Sequence, residues 1–332
     1  MLTRILAGKQ VNPLGLGTMN ITHGYSHFLN DAQAAQLLHT ALDAGVNHLD
    51  TATLYGATRS EQLIGEHLAG RREEFFLASK GGLSVVEGRG KIDGRPATLH
   101  RQIDESLARL RTDHIDLYYL HRLDPQVPIE ESVGALAEAH QAGKIGGIGL
   151  SEISVSTLHR AHTVHPIAAV QNEYSLATRN PELALLSACA ELEIALVVFS
   201  PLYRGLLTGK LRQLNDLEAG DMRLRMPRFN AENIGHNLAL VDRLVALAAA
   251  WDTTAAALSL AWVLAQGEHL HVIPGTTKLS HLAENMAAAT VQLSAEQLRQ
   301  IGKIINQDTV AGHRYNPAQR ASIDSEEFDP SH

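Results

Sequence analysis

The chain has 332 residues, 45% hydrophobic and 19% charged, with a formal net charge of −8. That balance describes a globular protein able to bury a large core without cross-links, and the acidic excess argues against a nucleic acid or an anionic membrane as partner. A single cysteine, Cys189, excludes an intrachain disulfide and a cysteine metal pair.

Short apolar strands alternate with helical patterns from end to end. Thr3–Leu6 and Gln10–Leu14, around Gly8, read as a hairpin. The strands that follow are Leu14–Thr18, His48–Thr51, Phe75–Lys80, Ile115–His121, Ile145–Ser151, Ala168–Tyr174, Ala195–Leu202 and His271–Thr276. They are rich in β-branched and aromatic residues, as expected when both faces of a sheet are covered. Helical spacing marks Asp31–Ala44, Ser60–Leu68, Leu99–Leu110, Ile129–Ala142, Val155–Thr163 and Pro181–Leu192, several of them followed by glycine. Strands separated by helices predict a parallel α/β protein. The first strand runs into GLGTMN, which lacks the last glycine of a dinucleotide-binding GxGxxG. Polar residues end several different strands instead. That distribution predicts a (β/α)8 TIM barrel, plugged at its closed end by the hairpin, with its active site among long loops at the other face.

No linker divides the chain, so residues 1–332 read as one barrel domain. Thr208–Gly235 is polar and carries Arg212, Arg223, Arg225 and Arg228; so long a loop is functional or disordered. The tail, 307–332, lacks periodicity and is read as wrapping over the barrel mouth or partly disordered. The N-terminal MLTRILAGKQ has no export signature, no apolar run approaches the ~20 residues of a membrane helix, and the cytoplasm is the expected compartment. His159, His162 and His165 cluster in LHRAHTVHP but read as exposed helix and loop residues, and no metal site is expected.

Four residues carry the chemistry. Asp50 and Tyr55 lie in HLDTATLYG, Lys80 in FFLASKGG and His121 in IDLYYLHR, each at or just beyond a strand end. Hydride addition to a carbonyl builds negative charge on oxygen, and a proton must arrive there. Tyr55 can supply it, but a free phenol has a pKa of about 10. An adjacent Lys80 ammonium favours the phenolate and sharpens the acid. Asp50 would hold Lys80 and keep it charged, and His121 would orient the substrate oxygen. Taken singly, Tyr55 before Gly56 reads equally as a turn residue, Asp50 as a helix cap, Lys80 as a rim lysine and His121 as a core histidine. Together they point to carbonyl reduction.

The runs GLGTM, LDTATLYG, ASKGG, LYYLHR, GKIGGIGLS, VQNEY, FSPLYRGLLTGK and VIPGTTKLSHLAEN, in this order, resemble the aldo-keto reductase family over almost the whole chain. The resemblance implies a (β/α)8 barrel and NADPH-dependent reduction of aldehydes or ketones, with Asp50, Tyr55, Lys80 and His121 catalytic. It also implies cofactor contacts from Gly17, Thr18, Met19 and Asp50. Ser151 and Gln171 stand where the family binds the nicotinamide carboxamide, and Phe199 where an aromatic stacks on the ring. Ser200, Leu202, Arg204 and Gly205 would meet the pyrophosphate, with Thr208–Gly235 folding over it. Thr276, Thr277 and Lys278 open the last helix at the adenosine 2′-phosphate, near His281, with Glu284 and Asn285 at adenine. Two positions depart from the family. Glu152 replaces the usual asparagine and can only accept a hydrogen bond from the carboxamide NH2. His281 replaces a frequent arginine, which narrows the expected NADPH preference.

His23, Tyr25, Phe28, Leu123 and Tyr203 are expected to line a small pocket for a carbonyl substrate, in a monomer or weak homo-oligomer. Two other readings stand beside the reductase: a lyase using Lys80 as a Schiff-base amine, and a non-catalytic NADPH-binding regulatory subunit on the same barrel.

Overall fold

The computed structural model describes residues 2–328. An antiparallel hairpin, β1 (Arg4–Leu6) and β2 (Lys9–Val11), precedes the barrel. The barrel strands are β3 (Leu16–Gly17), β4 (His48–Asp50), β5 (Phe76–Gly81), β8 (Leu117–Leu120), β9 (Ile148–Ser151), β10 (Ala169–Glu173), β11 (Ala195–Phe199) and β12 (Leu270–Val272). They pair in that order, all parallel. Parallel bridges Leu14–Val272 and Gly17–Gly275 join the first strand to the last and close the sheet. A side chain at Gly17 would put its Cβ 2.7 Å from the Ile273 carbonyl oxygen, so glycine permits the close approach at the seam.

Strand periodicity builds two separate cores. Leu77, Tyr118, Leu150, Val170 and Leu196 point outward and pack with the helices. Phe76, Ala78, Leu117, Tyr119, Ala169, Ala195 and Val197 point inward, and Leu6 and Val11 of the hairpin join them, so the hairpin seals the bottom. Tyr119 lies flat over Gly149, where a Cβ would come within 2.2 Å of its ring. The same alternation carries the inward columns up to polar residues. Ala78 is followed two residues on by Lys80, Tyr119 by His121, Gly149 by Ser151 and Ala169 by Gln171.

Most predicted elements appear within a few residues of their expected bounds. Three features differ. Residues outside the expected strands and helices form a second hairpin, β6 (Leu83–Val86) and β7 (Arg89–Ile92), turned through Glu87 and Gly88 with φ of 49° and 76°. Pro181–Leu192 is broken into a short 3-10 turn, Asn180–Leu183, and a helix, Leu185–Glu191. Glu182 in that turn accepts from Tyr174 Oη at 2.7 Å and from Arg179, which ties it to the end of β10. Thr208–Gly235 is a chain of short 3-10 turns leading into a helix, Ile234–Ala250. The described part of the tail crosses the mouth face. The Asp324 N–H donates to the Glu152 carbonyl, and Asp324 and Glu326 side chains accept from the N–H groups of Ser154 and Val155. Residues 329–332 of the expected tail lie outside the described residues. No single described helix is long and apolar enough to cross a membrane.

Candidate active site

The inward columns of β4 and β5 end at Asp50 and Lys80, and that of β8 runs on to His121. Tyr55 comes from the turn after β4, where Gly56, Ala57 and Thr58 all take left-handed backbone angles and return the chain into the helix Arg59–Leu68. The four side chains converge. Relative exposure is 0% for Lys80, 1% for Asp50, 5% for His121 and 8% for Tyr55. Lys80 Nζ donates to Asp50 Oδ1, to the Thr51 carbonyl at 2.9 Å and to Tyr55 Oη at 3.3 Å. Gln171 Nε2 donates to the other Asp50 oxygen at 2.8 Å. The His121 ring stands edge-on to Tyr55, centroids 5.9 Å apart, and His23 stacks on the other side at 6.2 Å.

Burial works against the Lys80 charge, but Asp50 and Tyr55 outweigh it and hold the ammonium's pKa above its ordinary value. Burial pushes the Tyr55 phenol up, with Lys80 pulling against it. The sequence suggests an acid sharpened below the free phenol; before any charge develops at the carbonyl, desolvation wins and the phenol keeps its proton. Burial first, then Arg122, Lys80 and His23, drives the His121 pKa well below the usual histidine range, so the ring is neutral. Its Nδ1 is buried without a partner among the described residues.

The cofactor candidates ring the same mouth. Ser151 and Gln171 are directly paired across β9 and β10, and Phe199 ends β11 half-buried. Thr18 donates its hydroxyl to the Asp50 carbonyl at 2.9 Å, with Gly17 in the seam and Met19 opening a short helix. After β11, Tyr203, Arg204 and Gly205 have left-handed φ of 44°, 54° and 88°. The N–H groups of Leu202 and Arg204 donate to no described residue. Free N–H groups in such a run form a concavity suited to an anion, which fits a pyrophosphate. Ser200 also has a left-handed φ, and its hydroxyl accepts from Arg204. Thr276 Oγ1 accepts from the Lys278 N–H at 3.1 Å, and exposed Lys278 heads the helix Leu279–Met286, with Thr277 half-buried before it. Burial, then Lys210 and Lys278, lowers the His281 pKa, leaving a neutral ring near the candidate 2′-phosphate position. Glu284 pairs with Lys210, and Asn285 is buried on the same helix.

Four expectations change. Arg204 is not free for a phosphate: its guanidinium lies buried against Glu173 at 3.1 Å and Tyr315 Oη at 3.1 Å, because the Glu173 carboxylate inside the barrel mouth requires a cation. Glu152 does not face the carboxamide. Arg314 Nη2 at 2.9 Å, Ser325 Oγ at 2.9 Å and the Glu173 N–H at 2.8 Å take its oxygens. Tyr203 is fully buried, stacked on Phe229 at 5.8 Å, and Phe28 is 55% exposed, so the pocket reading keeps only His23, Tyr25 and Leu123 near the mouth. Three of the four loop arginines turn to the protein, Arg212 to Asp242, Arg223 to Asp221 and Arg228 to the carbonyls of Ala177 and Gly312, while Arg225 is exposed.

Sequence reasoning passed over Arg122 and the pair Arg314–Tyr315. The signal for the second was the unusual Glu152, an anion that must find a cation, and the only run in the aperiodic tail joining a cation to an aromatic is HRYNP.

Known proteins carry the same pattern. A profile described as the aldo/keto reductase family matches residues 13–306. An aldo-keto reductase of Strobilurus tenacellus is 40% identical over 98% of this chain and 98% of its own length. One from Schizosaccharomyces pombe, named with NADP(+), is 39% identical over 97% of this chain and 96% of its own. The solved glycerol dehydrogenase of Gluconobacter oxydans superposes with a TM-score of 0.85 at 29% identity, covering 95% of this chain and 98% of that one. An aldo/keto reductase from Klebsiella pneumoniae, solved with NADP and acetate, gives 0.74 at 26% identity, covering 97% and 99%. The chain belongs to the aldo/keto reductase family and is an NADPH-dependent oxidoreductase.

Proposed function

We propose that the protein reduces aldehyde or ketone carbonyls to alcohols, with Tyr55 as the proton donor. The observation that carries the reading is the buried chain Asp50–Lys80–Tyr55 with the neutral His121 ring against the phenol. Ser151, Gln171 and Lys278 would hold NADPH, which would supply a hydride to the carbonyl carbon. The protein's own groups act on the oxygen. Tyr55 remains a phenol while the oxygen is neutral. As negative charge gathers there, the phenolic proton transfers to it, and the phenolate left behind faces the Lys80 ammonium at 3.3 Å. Asp50 keeps that ammonium in place. A neutral His121 offers one N–H and one lone pair, which suits orientation of a carbonyl rather than bulk proton supply.

The same geometry argues against a Schiff-base lyase. An amine nucleophile must lose its proton, and Lys80 is fully buried beside a carboxylate that stabilises its charge. A purely regulatory role would leave the complete set of four without a task.

Tyr55→Phe is the test. It should lower kcat for an unactivated aldehyde by roughly 10²–10⁴-fold while NADPH binding, followed by fluorescence titration, stays within a small factor. Wild-type kcat in that variant would remove Tyr55 from the mechanism.

A further inference from the structure

The carboxamide end of the cofactor site has an unusual set of donors. The amide has two acceptor lone pairs on its oxygen and two donor hydrogens on its nitrogen. Gln171 gives one N–H of its NH2 to Asp50, and its carbonyl oxygen accepts no hydrogen bond from a described residue. That oxygen can receive a carboxamide N–H. Glu152 can serve neither end of the amide, because its carboxylate is buried and bonded to Arg314, Ser325 and the Glu173 N–H. With Gln171 turned to receive the carboxamide N–H, the carboxamide oxygen is left with Ser151 as its hydroxyl donor and without the amide donor that position 152 would otherwise give.

Arg122 fills the gap. It follows His121 on β8, one strand over from Ser151, and its Nη1 donates to the His121 carbonyl at 2.7 Å and to Ser151 Oγ at 3.2 Å. Because Ser151 Oγ accepts that bond, its own hydrogen is free to donate outward. The Arg122 guanidinium has no carboxylate within ion-pair distance among the described residues. Its charge is felt across the site, opposing the burial that raises the Tyr55 phenol and adding to the lowering of His121 and Glu152. A half-buried cation beside a serine, with unused N–H groups, is a donor awaiting an acceptor.

We infer that Arg122 binds the carboxamide oxygen of the nicotinamide, replacing the neutral amide donor that Glu152 cannot supply. Ser151 and Arg122 give two donors and Gln171 gives one acceptor, which together complement the amide. Glu152 and Arg122 are then two halves of one exchange: position 152 anchors the tail through Arg314, and the donor role passes to the neighbouring strand. The inference rests on the placement of the nicotinamide over Ser151 and Gln171 used above.

The test is binding of oxidised cofactors without substrate, so turnover plays no part. Wild type, Arg122→Met, Arg122→Lys and Ser151→Ala are titrated with NADP+ and with its 3-acetylpyridine analogue, which keeps the carbonyl oxygen but has a methyl in place of NH2. Thermal melts confirm folding of each variant. Arg122→Met should weaken both ligands by the same factor, roughly ten- to hundredfold for a lost charge-assisted bond. Arg122→Lys, with a single charged head, should lose less. A loss confined to NADP+ would overturn the inference, since the oxygen is common to both ligands. Unchanged binding of both, with KM raised only for carboxylate-bearing aldehydes, would overturn it and assign Arg122 to the substrate. If Arg122→Met binds like wild type while Ser151→Ala is weakened, the inference alone falls. If neither variant is weakened, the placement of the nicotinamide falls with it.

Discussion

Replacing Arg314 by methionine probes the tail anchor. Arg314 is fully buried and faces two carboxylates, Glu152 at 2.9 Å and Glu173 at 3.6 Å. Glu173 keeps Arg204, but Glu152 would keep only the Ser325 hydroxyl and a backbone N–H. Removing one partner of a buried pair costs about 3–5 kcal/mol, because the remaining charge stays out of water. For 332 residues the unfolding entropy is about 0.7 kcal/mol/K, so the melting temperature should fall by about 4–7 °C. The tail can also lift and let water reach Glu152, which caps the loss and exposes the segment 307–328. The assay is a thermal melt paired with limited proteolysis and with the Glu152→Gln, Arg314→Met double variant, which should lose less than the sum of the single losses. The pH dependence has a defined sign. Burial tends to raise the Glu152 pKa, but Arg314 and then Arg122 outweigh it and hold it below the ordinary carboxylate value. The stabilisation is therefore complete above pH ~4.3 and is lost as pH falls through the folded value. An Arg314→Met protein with the wild-type melt and wild-type tail protection at neutral pH would refute the anchor.

Lys80→Met should lower kcat about as severely as Tyr55→Phe, roughly 10²–10⁴-fold, and should shift the pH profile of kcat towards higher pH, since the cation opposing the burial-raised phenol pKa is gone; an unshifted profile would separate Lys80 from Tyr55. Lys278→Ala should weaken NADPH by about tenfold and leave NADH nearly unchanged in fluorescence titrations, the small end for a charged hydrogen bond because Lys278 is exposed and salt screens it; equal losses for both cofactors would deny it the 2′-phosphate. In Thr208–Gly235, the stretch 211–220 is largely exposed and joined to the helix Leu279–Met286 through Lys210–Glu284. NADPH should slow its cleavage by protease, and equal cleavage with and without cofactor would count against closure over the pyrophosphate.

The barrel was legible because its signals are local. Alternating inward residues on β5 and β8 lead to Lys80 and His121 by parity alone, and Gly45 and Gly143 stop helices where the pattern ends. The β6–β7 hairpin left a weaker trace. Its strands are largely exposed and carry no apolar alternation, although Glu87–Gly88 is a turn pair of the kind that reverses a hairpin. Local pattern also named the four candidate catalytic residues, since each sits at a strand end or in the turn beyond one. Local pattern could not assign partners to charges. Glu152, Glu173, Arg204 and Arg314 are up to 162 residues apart, and no spacing links them; they meet because strand ends and tail share one water-excluded mouth where every buried charge must find its opposite. The same condition turned Arg204 inward, took Glu152 from the cofactor and left Arg122 without a carboxylate among the described residues. Residue type and period determined the barrel and its candidate catalytic centre, whereas only the closed tertiary structure decided which charges are spent on holding it together and which remain for a ligand.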